Sequence, residues 1–196
     1  DMEEGTVVRA IEQTAGKGQP GNHWESEPKM NITMSLLLRP DFLSIVDHFY
    51  ISIAMSLGIT DYLLSKGING VCIKWPNDIY YKEDKIAGIL IENNLTSAGI
   101  STCIIGLGLN VNQKTFKSDA PNPISLFNII GRETSVPELL QSILERFDKV
   151  YSLVYSNVGL LRENYFTNLL FNGQMREYAD ENGIIIGKIV DVENDG

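Results

Sequence analysis

The chain has 196 residues, 43% of them hydrophobic, and a formal net charge of −9. That is enough for one sizeable domain with a real core and a small appendage, and it argues against disorder. The acidic balance argues against broad nucleic-acid binding, which needs a basic face, and no apolar run approaches the roughly 18 residues of a membrane span.

The first residues, Asp1-Met2-Glu3-Glu4, are acidic and do not read as a signal peptide. Residues 6–11 predict a strand, 14–27 a glycine-rich loop and 31–38 the next strand. Phe42, Ile45, Val46, Phe49, Ile53 and Leu57 then fall at helical spacing behind Asp41, a candidate N-cap. Gly58 is expected to weaken or interrupt that helix before Tyr62-Leu63-Leu64. Strands are predicted over 71–75, 79–81 and 86–92, with Lys82-Glu83-Asp84 as a polar hairpin connection. Residues 93–99 read as a turn, 103–111 as a strand and 114–123 as a polar loop. Ser135-Val136-Pro137-Glu138 combines a capping-box pattern with Pro in the first turn. Leu139, Leu140, Ile143, Leu144, Phe147, Val150, Tyr151 and Val154 mark an amphipathic helix, and a second helical stretch runs to about 171.

Residues 173–196 change to glycine-punctuated strand, including 184–192. They read as the beginning of a small β-domain after a main domain over 1–172. The chain starts almost directly on a strand and stops just after a strand-like run, so parts of a longer protein are expected beyond both ends. The element order lacks regular βαβ alternation, which predicts an α+β fold with a mixed or mostly antiparallel sheet. Cys72 and Cys103 sit in apolar runs and read as buried thiols. With no CxxC and only His23 and His48, neither a disulfide nor a cysteine–histidine metal centre is expected. A cytoplasmic protein is the expectation.

Two short elements carry the chemistry. Lys74-Trp75-Pro76-Asn77-Asp78 closes an apolar run with a cation, an aromatic ring, a turn-forming Pro and two oxygen-bearing side chains. Lys85-Ile86-Ala87-Gly88-Ile89-Leu90 opens the next apolar strand with a lone Lys. Taken singly, each has an ordinary reading as a turn or a solvated strand end. Together they place cations at strand entries, where an anionic ligand suits them better than a core does.

Gly16, Gly18 and Gly21 satisfy G-x-G-x-x-G, but a dinucleotide-binding loop must open directly into a helix. Here Asn22-His23-Trp24-Glu25-Ser26-Glu27-Pro28 follows, then a strand. That context suits a flap over a ligand. Glycines let backbone N–H groups approach anionic oxygens, Lys17 offers a compact cation, and Trp24 offers a flat face to a purine. Gly106-Leu107-Gly108-Leu109-Asn110-Val111-Asn112 reads either as a closely packed strand or as one whose glycines let a ligand lie against the main chain.

These motifs, with Gln13-Thr14-Ala15 leading the loop and Gln19-Pro20 inside it, converge. The chain resembles the catalytic domain of biotin–protein ligases, in the family's order and spacing, across nearly all of residues 5–178. The resemblance implies a catalytic domain similar to class II aminoacyl-tRNA synthetases, followed by an SH3-like β-barrel of which 173–196 would be the start. It implies that biotin and ATP give biotinyl-5′-AMP and pyrophosphate, and that a lysine of a biotin carboxyl carrier domain then takes the biotin. In-line attack of one anion on another needs cations and positioning. By similarity Lys85 and Lys17 are the catalytic candidates. Gln13, Gly16, Lys17, Gly18, Gln19, Lys85, Gly88 and Gly106 are the biotin side. Gln19, Asn22, Trp24, Lys74, Asn77 and Asn110 are the ATP side, with Asp78 and Asn77 as oxygen ligands for Mg2+. The glycine loop would exclude water from the mixed anhydride.

The loop departs from well-known bacterial members, which read Gly-Arg-Gly-Arg-Arg-Gly-Arg. Lys17, Gln19, Pro20 and Asn22 stand in place of those arginines, a form similar to eukaryotic members, and Gln19 brings no charge to the phosphate. The family's Ser-Thr-Asn biotin contact is absent, and no helix-turn-helix is evident. The alternatives are a lipoate– or octanoyl–protein ligase on the same scaffold and a non-catalytic biotin or adenylate sensor. A nucleotide-dependent dehydrogenase is more distant. A monomer or weak homodimer without membrane or nucleic-acid partners is expected.

Overall fold

The computed structural model describes residues 2–19, 21–97, 99–117, 121–180 and 183–196; Pro20 of the glycine loop lies outside them. Its centre is a six-stranded antiparallel sheet in the order β1-β4-β8-β7-β6-β5, formed by β1 (Val7–Arg9), β4 (Ile32–Leu38), β5 (Val71–Lys74), β6 (Asp78–Tyr81), β7 (Asp84–Thr96) and β8 (Gly99–Leu109). The glycine loop adds a separate two-stranded ribbon, β2 (Gly16–Lys17) against β3 (His23–Trp24). The α+β expectation holds, and the sheet is antiparallel throughout.

Strand alternation separates two faces. In β8, Cys103, Ile105, Leu107 and Leu109 are buried in the core, while Gly106 and Gly108 face the other way. The core face is covered by α1 (Phe49–Ser65), which packs on β5, β6 and β7. Behind it lie α3 (Val136–Tyr151) and α5 (Val158–Asn168), with the short α2 (Leu126–Ile130) and α4 (Leu153–Ser156) as connectors. α1 is apolar nearly all round, as a helix buried between a sheet and a second helical layer must be.

Several expectations change. The first helix starts at Phe49, and Asp41 does not cap it; 42–48 holds only a 3-10 turn, Ile45–Asp47. Phe42 instead turns edge-on to Tyr151 and Tyr155, so its helical spacing reflects packing outside a helix. Gly58 does not break α1. A Cβ there would lie 2.9 Å from the Phe147 Cα, so the glycine lets α1 and α3 approach closely. The predicted turn over 93–99 is mostly strand, because Asn94 and Thr102 bond across the ladder at 2.8 Å and Ser101 bonds the Asn94 carbonyl at 2.9 Å.

Ser135 makes no capping bond. The capping box forms at Ser125 and Asn128, ahead of α2, with Asn rather than Glu or Gln as its second member. The second helical stretch is broken at Asn157, whose side chain caps α5 through the Leu160 N–H.

β9 (Arg176–Asp180) and β10 (Gly183–Gly187) form a hairpin with Ile184, Ile185 and Ile186 exposed. The predicted strand over 184–192 therefore stops at Gly187. The chain then returns to the helical layer. Asn194 accepts from the Phe49 N–H at 3.2 Å and from the Tyr50 hydroxyl at 2.7 Å, and Asp191 pairs with Arg162 at 2.6 Å. Among the described residues no helix is long and apolar enough to cross a membrane.

Candidate active site

The glycine-bearing face of the sheet, the ribbon of the glycine loop and the residues after β8 enclose a cavity of about 910 Å³. Gln13, Lys17, Gly18, Gln19, Asn22, Trp24, Lys74, Asn77, Asp78, Lys85, Gly88, Gly106 and Asn110 all line it. Gly16 stands just behind the wall. A Cβ on it would lie 2.3 Å from the Trp24 carbonyl oxygen and 2.8 Å from Gln13 Oε1, so only glycine lets β2 and β3 close.

Lys85 owes its direction to a bulge. In the β6–β7 ladder Ile79 pairs with Ala87 and Tyr80 with Lys85, so Ile86 is an extra residue in β7. A bulge of this kind shifts the alternation and re-aims the side chains beyond it. Ile86 and Ala87 are both fully buried, while Lys85 and Gly88 both reach the cavity. The Lys85 Nζ lies 2.7 Å from Asp78 Oδ1 and 5.8 Å from the centre of the Trp24 ring. Trp24 lies over the sheet glycines: a Cβ on Gly108 would come within 2.3 Å of its Cε2, and one on Gly88 within 3.3 Å of its Cζ3. Gly106 is less crowded: the nearest atom, the Leu90 carbonyl oxygen, lies 3.4 Å from where a Cβ would be.

Lys74 rests over the Tyr80 ring, 4.9 Å from its centre, with Nζ 3.3 Å from the hydroxyl. Asn77 is already engaged: its Nδ2 donates to the Ile89 carbonyl at 2.5 Å and its Oδ1 accepts from Gln19 Nε2 at 3.4 Å. It ties the glycine loop to the sheet. Lys17 is exposed and makes no ion pair among the described residues.

Among the described residues, three in the cavity carry buried polar atoms without a partner: Gln13 Oε1, Trp24 Nε1 and Asn110 Oδ1. Each costs about 1–3 kcal/mol unless something supplies the missing bond. A ligand that offers both N–H donors and an acceptor would satisfy them. Asn110 itself is held by Nδ2, which donates to the Ile124 carbonyl at 3.0 Å.

No three of His, Cys, Asp and Glu gather into a metal site among the described residues. Asp78 still brings one carboxylate to the cavity. Mg2+ keeps several waters and needs only one or two protein carboxylates when phosphate oxygens complete its shell. The donor set fits a metal that arrives with a nucleotide. The thiols lie off the cavity; burial pushes Cys72 up to about 11 and Cys103 up to about 12. Cys103 is buried as expected, and Cys72 is half-buried.

The sequence reading missed one wall. Residues 121–123, the end of the supposed polar loop over 114–123, lie beside Lys85: the Lys85 N–H donates to the Asn122 carbonyl at 2.8 Å and the Ile124 N–H to the Lys85 carbonyl at 3.0 Å. Phe116, Pro121 and Pro123 line the cavity from there. Only the prolines hinted at order in that stretch.

The sequence profile of the Biotin/lipoate A/B protein ligase family matches residues 1–110. The chain is 33% identical to the bifunctional ligase/repressor BirA of Bacillus subtilis (strain 168), over 98% of this chain and 60% of that protein. It is 30% identical to a biotin–[acetyl-CoA-carboxylase] ligase of Paracoccus denitrificans, over 71% of this chain and 60% of that protein. It thus spans about 60% of the length of these relatives. Among solved structures, biotin protein ligase from Aquifex aeolicus in complex with biotin and ATP superposes with a TM-score of 0.82 at 26% identity, covering 97% of this chain and 79% of that one.

Proposed function

Because the chain belongs to the biotin/lipoate A/B protein ligase family, we propose that it is a biotin–protein ligase, activating biotin with ATP and passing it to a protein lysine. The observation that carries this reading is the bulge-aimed Lys85, paired with Asp78 above glycines 88 and 108 in a cavity large enough for two small ligands. A carboxylate oxygen of biotin attacks the α-phosphorus of ATP, and pyrophosphate leaves. Both reactants are anionic, so the step depends on cations that hold them in line and neutralise charge as it develops.

Lys85 fills that role at the cavity floor, and Lys17 approaches from the flap. Gln13 Oε1, buried and without a donor, suits a ureido N–H of biotin. Trp24 and Asn110 offer an aromatic face and an amide oxygen to adenine, with Gln19, Asn22, Lys74 and Asn77 on the phosphate and ribose side. Gly18, Gly88 and Gly106 give the biotin room against the main chain, and Gly16 acts behind the wall by letting β2 and β3 close. Asp78, with Asn77 beside it, would hold a Mg2+ arriving with the nucleotide, which would supply neutralisation of phosphate charge. The flap then keeps water from the mixed anhydride until an acceptor amine attacks the acyl carbon and AMP leaves.

The acceptor is proposed to be the lysine of a biotin carboxyl carrier domain, in keeping with the Paracoccus relative's name. Lipoate or octanoate as substrate finds no support in the relatives' names or in the ligands of the Aquifex structure. We read residues 1–172 as a catalytic domain similar to class II aminoacyl-tRNA synthetases; the antiparallel sheet with helices on one face supports this. Residues 173–196 are read as the start of an SH3-like barrel, supported by the β9–β10 hairpin. The protein is proposed to act in the cytoplasm as a monomer or weak homodimer.

The test is ATP–pyrophosphate exchange with Mg2+, run with biotin, lipoate and octanoate in parallel. Exchange with biotin alone is expected. Exchange with lipoate alone would reassign the substrate, and biotin binding without any exchange would make the chain a sensor.

A further inference from the structure

Gln113, just past the glycine-bearing strand β8, is 0% exposed and does not line the cavity. A buried primary amide is costly unless every bond is met. Here every bond is met, and the partners come from separate parts of the chain. Its Oε1 accepts from Asn31 Nδ2 at 2.6 Å and from the Glu27 N–H at 3.0 Å. Its Nε2 donates to Glu25 Oε1 at 2.9 Å and to the Thr115 carbonyl at 3.0 Å.

The network continues outward. The Glu25 carboxylate accepts from the Lys117 N–H, at 3.1 Å to one oxygen and 3.0 Å to the other. Asn31 Oδ1 accepts from the Val111 N–H at 2.9 Å. One side chain therefore joins the exit of the glycine loop, the entry to β4 and the segment at 115–117. Trp24 and Glu25 on one arm, and Phe116 on the other, line the cavity.

We infer that Gln113 is a positioning residue: it sets the distance between the glycine-loop exit at Trp24 and Glu25 and the wall at Phe116, and so fixes the width of the ligand cavity. The inference rests on the ligase reading only for what fills that cavity. Gln113 touches no reacting atom. A wall held by it contacts ligand equally before and during reaction, so its loss weakens binding without slowing chemistry.

The first measurement is kinetic. Gln113→Ala strands the groups that the amide now satisfies, and the KM for biotin and for ATP in the exchange assay is expected to rise roughly tenfold, with kcat within about threefold of the parent. The second measurement does not depend on activity. In a Trp75→Phe background Trp24 is the sole tryptophan, since the chain has two. Gln113→Ala is expected to steepen acrylamide quenching of Trp24 under native conditions. Should Gln113→Ala not fold, Asn31→Ser, at a buried position off the cavity that donates to Gln113 Oε1, carries the same two readouts, with smaller changes in the same direction.

Unchanged KM and unchanged quenching, even with a lower melting temperature, would reduce Gln113 to a core residue and overturn the inference. So would a fall in kcat at constant KM. If the parent protein shows no exchange with biotin but quenching still steepens, the clamp stands and the ligase reading falls.

Discussion

In the proposed reaction Lys85 is the residue on which the chemistry turns, and its setting separates function from stability. Its ammonium pairs with Asp78, but both side chains retain solvent access, at 26% and 19% exposure. A pair of that kind contributes at most about 1 kcal/mol to folding. As the cation facing a developing negative charge it is worth far more, on the order of 10²–10³-fold in rate. Lys85→Ala is therefore expected to abolish measurable biotin-dependent pyrophosphate exchange while the melting temperature changes little. Retained exchange in a folded variant would remove Lys85 from the mechanism. The type and approximate place of this residue were legible in the sequence, because a lone Lys ahead of an apolar, glycine-bearing strand is unusual. Its direction was not. By strict alternation Lys85 and Gly88 face opposite sides, and only the extra residue Ile86 puts both on the cavity.

At the scale of elements, the α1–α3 contact decides two outcomes. Helix propensity alone says that Gly58→Ala should stabilise α1 by about 1 kcal/mol. The new Cβ would sit 2.9 Å from backbone of α3, which cannot move aside as a flexible side chain would. Overpacking of this sort costs about 1–3 kcal/mol, so a net loss of stability is expected in urea denaturation. A gain would mean that the two helices separate freely. On the same helix, burial raises the carboxyl of Asp61 above its ordinary 3.8, with the nearby Arg146 pulling it down less strongly. A raised carboxyl favours the folded state only while protonated. The penalty grows as pH climbs past 3.8 and is complete above the folded value. Asp61→Asn should raise the melting temperature at pH 7, and that gain should vanish as the pH falls to 3.8. A gain that persists unchanged at low pH would show that charge is not its source. The sequence carried the amphipathic pattern of α3 but not the fit of Gly58 against it, because a close approach is a property of two helices.

For the whole molecule, the charge distribution matters more than its sum. The chain carries a net −9, yet at the cavity Lys17, Lys74 and Lys85 are matched by Glu25, Asp78 and Glu92, so the site does not share the overall acidity. Sedimentation is expected to give a species near the chain mass of 21.9 kDa with only weak self-association; a stable dimer at low concentration would contradict that. The sequence by itself determined the order of the main strands and helices, though not α2 or the β2–β3 ribbon, and with them the α+β class and the motifs that reach the cavity, because period-2 and period-3.6 patterns and glycine placement are local properties of the chain. Only the tertiary structure decided that Ile86 bulges, that residues 121–123 lie beside Lys85, and that Gln113 joins three distant segments. Each of these depends on which strands become neighbours and which buried polar groups then need partners. Hydrogen bonds between residues 80 to 90 positions apart leave no local signature in the sequence.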